Sequence, residues 1–539
     1  MFVIENKHSK IVSGSLIGLV IIGILMRLYH ITQNDFFLYD EGFYLNYNHL
    51  LVRLMTSHPP ENFHDWMQAI LVWFRFSMAS GKALWFLLID ARVFLGLMHA
   101  YFIPRLVSAM AGSLTLWITF VFARRFFNSF WLGMLSLVFL AFLPSHMSYS
   151  RLGFQEALST LFFLLGFYFY LFPRSFTFKT FVSGLFFGCA YFTNYRLIIL
   201  PLLVFVCEFF VSLSEGRHPG FRKYLWHTLT FLSLVFIVGG LDKGENTIVT
   251  FSWMFHQTHL ASEQFDWFNL LSYPYYLFRL ESPFFGILFW GNIYCALRRE
   301  WFKIFPFVMV CVQMLIFSFA AEKGARYLCV MTPFMAMAAA SFVISLFERK
   351  QQPALQAALV VFLVVTLGSL LIKSFQIVTS HSDYKPAMEY LKNIDGEAQV
   401  LSTQPWIQNL YMDQHKGIVL GCPNRFQSRL ALYGHGFRYM VLCPQAYISW
   451  TTDGKRFTRH LENYLGFVAS HVKPMQVFPH LNRVMLERFV FEHNENLKRS
   501  IDFLNLRDQN PGEIKIYEVK SCISAILQWL SYQKAGQEQ

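Results

Sequence analysis

Charge is scarce in this 539-residue chain: Asp, Glu, Lys and Arg together make up 14% of it, against roughly 25% in soluble proteins. A water-facing surface needs more than that, so an ordinary soluble globule is excluded and a bilayer becomes the expected solvent. Other absences narrow the field further. The eight cysteines include no CxxC pair and no zinc-ligand spacing, which removes the usual structural zinc and redox motifs. There is no Gly-rich phosphate loop in the polar C-terminal part and no internal repeat in the chain. A formal charge of +12 comes without a basic stripe interleaved with exposed aromatics, so no nucleic-acid partner is expected. No small-residue cleavage site follows the apolar run Ile11–Met26, which reads as an uncleaved signal anchor behind Lys7 and Lys10.

What the chain does have is apolar bulk: 55% hydrophobic residues, 18% aromatic, and sixty-one Phe. Runs of about 18–22 apolar residues match the thickness of a hydrocarbon core, and they predict about eleven spans. These are 11–29, 104–123, 130–148, 156–172, 180–194, 197–213, 225–241, 283–297, 304–321, 327–347 and 353–373. With the N-terminus in the cytoplasm, five basic clusters fall inside: Arg124/Arg125, Arg174/Lys179, Arg217/Arg222/Lys223, Arg298/Arg299/Lys303 and Arg349/Lys350. The short outer loops hold few basic residues, among them Arg151, Arg196, Lys323 and Arg326. That asymmetry follows the positive-inside rule and predicts an N-in, C-out polytopic α-helical membrane protein.

A long first outer loop then runs over residues 31–103, with Trp66–Met78 and Ala83–His99 reading as helices in the membrane interface. The transmembrane domain covers 1–374. The remainder, 375–539, alternates short β-like runs (Gln399–Ser402, Tyr439–Cys443, Ile514–Val519) with helical ones (Pro386–Asn393, Arg456–His471). It predicts an extracytoplasmic α/β domain. Five cysteines (Cys189, Cys207, Cys295, Cys311, Cys329) lie in or beside apolar segments and read as packing residues. Cys422 and Cys443 are candidates for a disulfide if the C-terminal part is periplasmic.

Ionisable groups at a bilayer edge need a partner or a task, and three clusters on the outer face stand out. Tyr39-Asp40-Glu41-Gly42-Phe43-Tyr44 puts two adjacent carboxylates among aromatics just after the first span. A carboxylate there is positioned to take a proton from an attacking hydroxyl or amine. The structural alternative is an interfacial anchor in which Asp40 caps the next helix. Ser150-Arg151-Leu152-Gly153-Phe154-Gln155-Glu156 occupies the turn between two spans, where an Arg151–Glu156 pair serves structure as readily as catalysis. Glu322-Lys323-Gly324-Ala325-Arg326-Tyr327 suits a phosphate at headgroup depth, or simple snorkelling from a helix end. Together the clusters supply a base, cations and a membrane depth suited to a lipid carrier. Those parts fit displacement at the anomeric carbon of a lipid-phosphate sugar, with the cations stabilising the leaving phosphate. His256-x-x-His259 has helical ligand spacing but no third ligand nearby, so no metal is expected.

Across residues 20–347 the sequence resembles the GT-C superfamily, on the branch of protein O-mannosyltransferases and lipid A aminoarabinose transferases. The resemblance is carried by Asp40-Glu41-x-x-Tyr44, by "PRLVSAMAGSL" (Arg105, Gly112), by "LPSHMSYSRLGFQEALST" (Pro144, Ser150, Arg151, Glu156) and by "KGARYLCVMTP" (Arg326, Tyr327, Pro333). It implies Asp40 as general base with Glu41 assisting, and Arg326 and Tyr327, beside Lys323, as ligands of the carrier phosphate. Arg151, Glu156, Tyr44 and Arg105 would support the site. It further implies a polyprenyl-phosphate-linked sugar as donor, inversion at the anomeric centre and no cofactor. The acceptor is left open among lipid, glycan and protein. Where the aminoarabinose branch has Lys-Pro-Pro-Leu, this chain has His58-Pro59-Pro60-Glu61, so the second phosphate ligand falls to Lys82, Arg92 or His58. A transporter or flippase for lipid-linked sugars is the competing class, although charges gathered on one face and the lack of a repeat fit it less well. A polymerase or ligase moving whole oligosaccharides is a third. The absence of Asn-x-Ser/Thr from the outer segments favours a bacterial cytoplasmic membrane, with the site on the periplasmic side.

Overall fold

The computed structural model describes residues 6–537 apart from 33–38, 49–50, 53, 56–59, 98–99, 173–177, 217, 242–247, 249, 251, 253–266, 321–323, 349–351, 398, 413–418, 422–435, 444–461 and 482–511. The chain falls into two compact units. One comprises Met1–Thr32 and Asn48–Val378, the other Gln33–Tyr47, Thr379–Glu492 and Asn496–Gln539, as far as these are described.

The described elements of the first unit are all helical, and a helix lies on each of the eleven apolar stretches. Among the described residues five helical stretches are long and apolar enough to cross a bilayer: Ile103–Phe126, Tyr195–Leu213, Trp301–Ser318, Ala325–Phe347 and Pro353–Val378. The pair Phe130–Phe142 and Pro144–Arg151, bent by 59°, makes a sixth if counted as one span. Gly14–Leu28, Glu156–Leu171 and Pro283–Leu297 are shorter apolar helices. Side chains explain which faces are which. The Pro353–Val378 helix buries Thr366, Leu370, Ser374, Ile377 and Val378, while Val360, Val361, Val364 and Ile372 stay exposed. An apolar face of that extent has no place in water, and the chain is an integral membrane protein.

The two helices of the long loop are Phe63–Met78 and Ala83–Phe94. The first starts on Asn62, whose side chain accepts from the N–H of Asp65 at 3.0 Å, an N-cap. Leu51, Ala69 and Val93 form a small core between them.

Among the described residues of the second unit six strands form a sheet in the order β1-β5-β6-β4-β2-β3. These are β1 (His381–Ser382), β2 (Gln399–Ser402), β3 (Val419–Gly421), β4 (Phe437–Leu442), β5 (Gln476–Leu481) and β6 (Glu513–Glu518). β2 pairs in parallel with β3 and β4, and the remaining pairs are antiparallel. Only Arg438 of β4 is exposed, and it pairs with Asp395. A strand buried this fully is covered on both faces. One core combines Leu401, Met440 and Leu442 with Val519, Cys522 and Ile526 of the Val519–Gln537 helix. The Tyr384–Asp395 helix buries Tyr384, Ala387, Met388 and Leu391, an i, i+3, i+4, i+7 stripe. β5 was not evident from sequence because Pro479 interrupts it. That residue pairs with Glu513 of β6, whereas the β1 ladder stops at His480, so its missing donor lies where one side has no partner strand. Cys422 lies outside the described residues. Cys443 is a buried free thiol, which burial pushes up to about 12.

Candidate functional site

The geometry of the site begins at a broken helix. Leu143 precedes a proline and is extended (φ −68, ψ 116), the conformation that Pro144 imposes on its predecessor. The break strands backbone groups that no water inside a bilayer can satisfy, and three other helices supply their partners. Arg27, fully buried, donates through Nη1 to the carbonyl of Ala141 at 3.0 Å and through Nη2 to that of Leu140 at 3.3 Å. Its Nη2 also meets His146 Nδ1 at 2.8 Å. Ser374 Oγ donates to the carbonyl of Phe142 at 2.8 Å. On the far side of the break, the N–H of Ser145 donates to Glu281 Oε2 at 3.1 Å.

The rebuilt helix Pro144–Arg151 is buried at every residue. Near its end Ser150 packs against Gly112, where an added Cβ would lie 2.6 Å from the Ser150 Cβ. Arg151 donates to the carbonyl of Met26, and to that of Arg27 at 3.4 Å, in the last turn of the Asn6–Leu28 helix. A cation there complements the helix dipole. Buried Arg105 lies within its electrostatic reach. Arg151 therefore does not bridge to Glu156 across the turn. Its hydrogen-bonding capacity goes instead to the free carbonyls of the first helix.

Glu156 opens the helix Glu156–Leu171 and is 1% exposed. Gln155 Nε2 donates to its Oε1 at 3.2 Å, while its Oε2 has no hydrogen-bond partner among the described residues. Its electrostatic neighbours are Arg326, Arg196 and Lys82. Arg196 sits in the 3₁₀ turn Tyr195–Ile199, opened by Asn194, whose side chain accepts from the Arg196 N–H at 3.3 Å. Tyr327, in the 3₁₀ segment Ala325–Met331, links the two guanidinium groups. Its ring centroid is 4.7 Å from Arg196 Cζ and 5.9 Å from Arg326 Cζ. The ring is held by Phe317, 5.0 Å away, and its carbonyl by Gln313 Nε2 at 3.2 Å. Thr160 ties the two segments together: its Oγ1 donates to the Glu156 carbonyl at 2.7 Å and lies 3.8 Å from Cys329 Sγ.

Of the residues expected at the site, Glu156, Arg326 and Tyr327 thus come together, with Arg151 and Arg105 behind the neighbouring turn. Lys82, one of three alternatives for the second phosphate ligand, joins Glu156. Arg92 instead accompanies Asp90, which hydrogen-bonds Asn48 and whose carboxyl burial pushes up to about 7. Lys323, His58, His256 and His259 lie outside the described residues. Arg196 was visible in the sequence as an outer-face cation, with nothing local to single it out.

The acid pair belongs to the second unit. Asp40, Glu41 and Tyr44 lie on the helix Tyr39–Tyr47, with Glu41 and Tyr44 buried and Asp40 half-buried. That helix docks on the short helix Pro405–Gln408. A Cβ on Gly42 would sit 2.7 Å from the Ile407 backbone nitrogen, so only glycine permits the approach. Asn46 Nδ2 donates to the Trp406 carbonyl at 3.0 Å, and the Phe43 and Trp406 rings meet edge-on at 5.6 Å.

No family model and no curated protein matches the sequence. Solved structures do. The fold is similar to that of ArnT from Cupriavidus metallidurans in the apo state, with TM-score 0.53 and 12% identity, over 82% of this chain and 95% of that one. It is also similar to the archaeal oligosaccharyltransferase AglB from Archaeoglobus fulgidus in complex with an inhibitory peptide and a dolichol-phosphate. That match has TM-score 0.51 and 10% identity, over 84% of this chain and 71% of that one. The Archaeoglobus fulgidus oligosaccharyltransferase in the apo form gives TM-score 0.52 at 10% identity over the same shares. These neighbours are glycosyltransferases of the GT-C superfamily. At such identities the likeness is one of fold, and this chain has the GT-C fold.

Proposed function

We propose that the protein is a membrane glycosyltransferase that moves a sugar from a polyprenyl-phosphate-linked donor to a lipid, glycan or protein acceptor. The site would open on the periplasmic side of a bacterial cytoplasmic membrane. The observation that carries this reading is the group of Lys82, Arg196 and Arg326 around a buried glutamate and a tyrosine ring, within a fold whose relative AglB is solved with a dolichol-phosphate. Guanidinium groups offer the forked donors that phosphate oxygens take. In the reaction, the acceptor hydroxyl or amine attacks the anomeric carbon and inverts it. The bond from that carbon to the phosphate oxygen breaks with its electron pair leaving on the carrier, and the acceptor's proton passes to a base. Asp40 is the base in this scheme and Glu41 assists it.

Loss of a general base lowers a rate by about 10²–10⁴-fold. Asp40→Asn is therefore expected to reduce transfer from a labelled carrier by that order while the protein stays folded and membrane-inserted. An Asp40→Asn protein turning over near the wild-type rate would remove Asp40 from the mechanism. Transfer of a whole oligosaccharide is the second reading, favoured by the likeness to an oligosaccharyltransferase. Mass spectrometry of the modified product separates the two by the mass added.

A further inference from the structure

A carboxylate is an odd occupant for a phosphate site, since it repels the ligand the surrounding cations would hold. Glu156 nevertheless lies among Arg326, Arg196 and Lys82 at 1% exposure. The three cations come from separate stretches of chain: Lys82 just ahead of the Ala83–Phe94 helix, and the arginines from two different 3₁₀ segments. Arg196 and Arg326 are within electrostatic reach of one another and share the Tyr327 ring. Like charges in a weakly polar interior do not stay together unless an anion joins them. The plain structural role for Glu156, an acid at the N-terminus of its own helix, needs only that helix. It leaves the three converging cations unexplained, and it leaves Oε2 without a hydrogen bond among the described residues.

We propose that Glu156 is a built-in counter-anion, which holds Lys82, Arg196 and Arg326 together in the empty site and competes with the carrier phosphate for them in the filled one. This rests on the reading that the cluster takes the carrier phosphate. The consequence falls on the product. The donor is a phosphodiester with one negative charge, and the spent carrier is a phosphomonoester that gains a second when the glycosidic bond breaks. Three cations with no internal anion would hold that dianion tightly. Glu156 weakens the grip, so the carrier leaves and the site resets.

The test is the affinity of undecaprenyl phosphate for the full-length protein in nanodiscs of zwitterionic lipid. Removing one charge from such a cluster is worth about tenfold in binding. Glu156→Gln is therefore expected to bind undecaprenyl phosphate about tenfold more tightly than wild type, with Glu156→Asp close to wild type. A disturbed structure would weaken binding, so a gain in affinity is a readout that mere misfolding does not produce. Equal or weaker binding by a folded Glu156→Gln protein overturns the counter-anion role and leaves the phosphate site standing. Failure of the wild type to bind overturns the phosphate reading itself. Should Glu156→Gln not accumulate as folded protein, the pair Glu156→Gln/Lys82→Gln restores the net charge and is expected to fold; a pair as unstable as the single variant overturns the role.

Discussion

Gly112 shows how a single hydrogen atom in place of a methyl group sets the position of a candidate site residue. An added Cβ there would meet Ser150 at 2.1 Å from Oγ and 2.6 Å from Cβ. The second of these is the root of the side chain, which no rotamer change moves. Gly112→Ala is expected to lower stability by about 1–3 kcal/mol, as overpacking does, and to displace the turn that carries Arg151. Gly368, also in a helix but with nothing within 4 Å, is the control, and alanine there should leave stability unchanged or slightly raised. Thermal unfolding of both variants in detergent decides the matter; equal midpoints would contradict the packing argument. Residues of this kind were only partly legible in the sequence. Gly112, Arg151 and Glu156 lie in motifs that stand out locally, whereas Arg196 is one cation among several between apolar runs. Its neighbours are Glu156, 40 positions away, and Arg326, 130 away, which no local pattern records.

Elements follow apolar runs closely, and each of the eleven stretches carries a helix. Periodicity and length are properties of a short window, so a membrane helix announces itself before its neighbours are known. The exception is instructive. Residues 130–148 read as one continuous span, yet the chain breaks at Leu143–Pro144 and turns by 59°. Proline marked the place. What makes the break tolerable is the set of partners from three other helices: Arg27, Ser374 and Glu281. Replacing Glu281 by Leu orphans the buried N–H of Ser145 and is expected to destabilise the protein by about 1–3 kcal/mol. Glu281→Gln, which keeps an acceptor oxygen, should stay near wild type. Chemical denaturation of the two variants side by side checks this, and a Leu variant as stable as the Gln variant would show that the break does not depend on its cap.

On the scale of the whole molecule, two units account for the described chain, and the second recruits Gln33–Tyr47 from beyond the first helix. The acid pair therefore rides on a helix docked to Trp406 and Ile407, more than 350 residues further along. The charge bias in the sequence predicts an orientation for the membrane unit, which is tested on the whole molecule. A periplasmic reporter such as alkaline phosphatase should be active when fused after Val378 and inactive when fused after Asn128. The reverse pattern would invert the topology and remove the periplasmic assignment. By itself the sequence determined the solvent, the helices and their orientation bias, because apolar length and basic-residue asymmetry are sums over neighbouring positions. It also picked out the acids and most of the cations, since charge at a membrane edge is conspicuous wherever it occurs. Tertiary structure alone decided which of those charges meet: Arg151 with the carbonyls of the first helix, and Glu156 with Lys82, Arg196 and Arg326. Those meetings depend on how distant helices pack, and the stretch of chain that bears each charge is compatible with many partners until that packing chooses one.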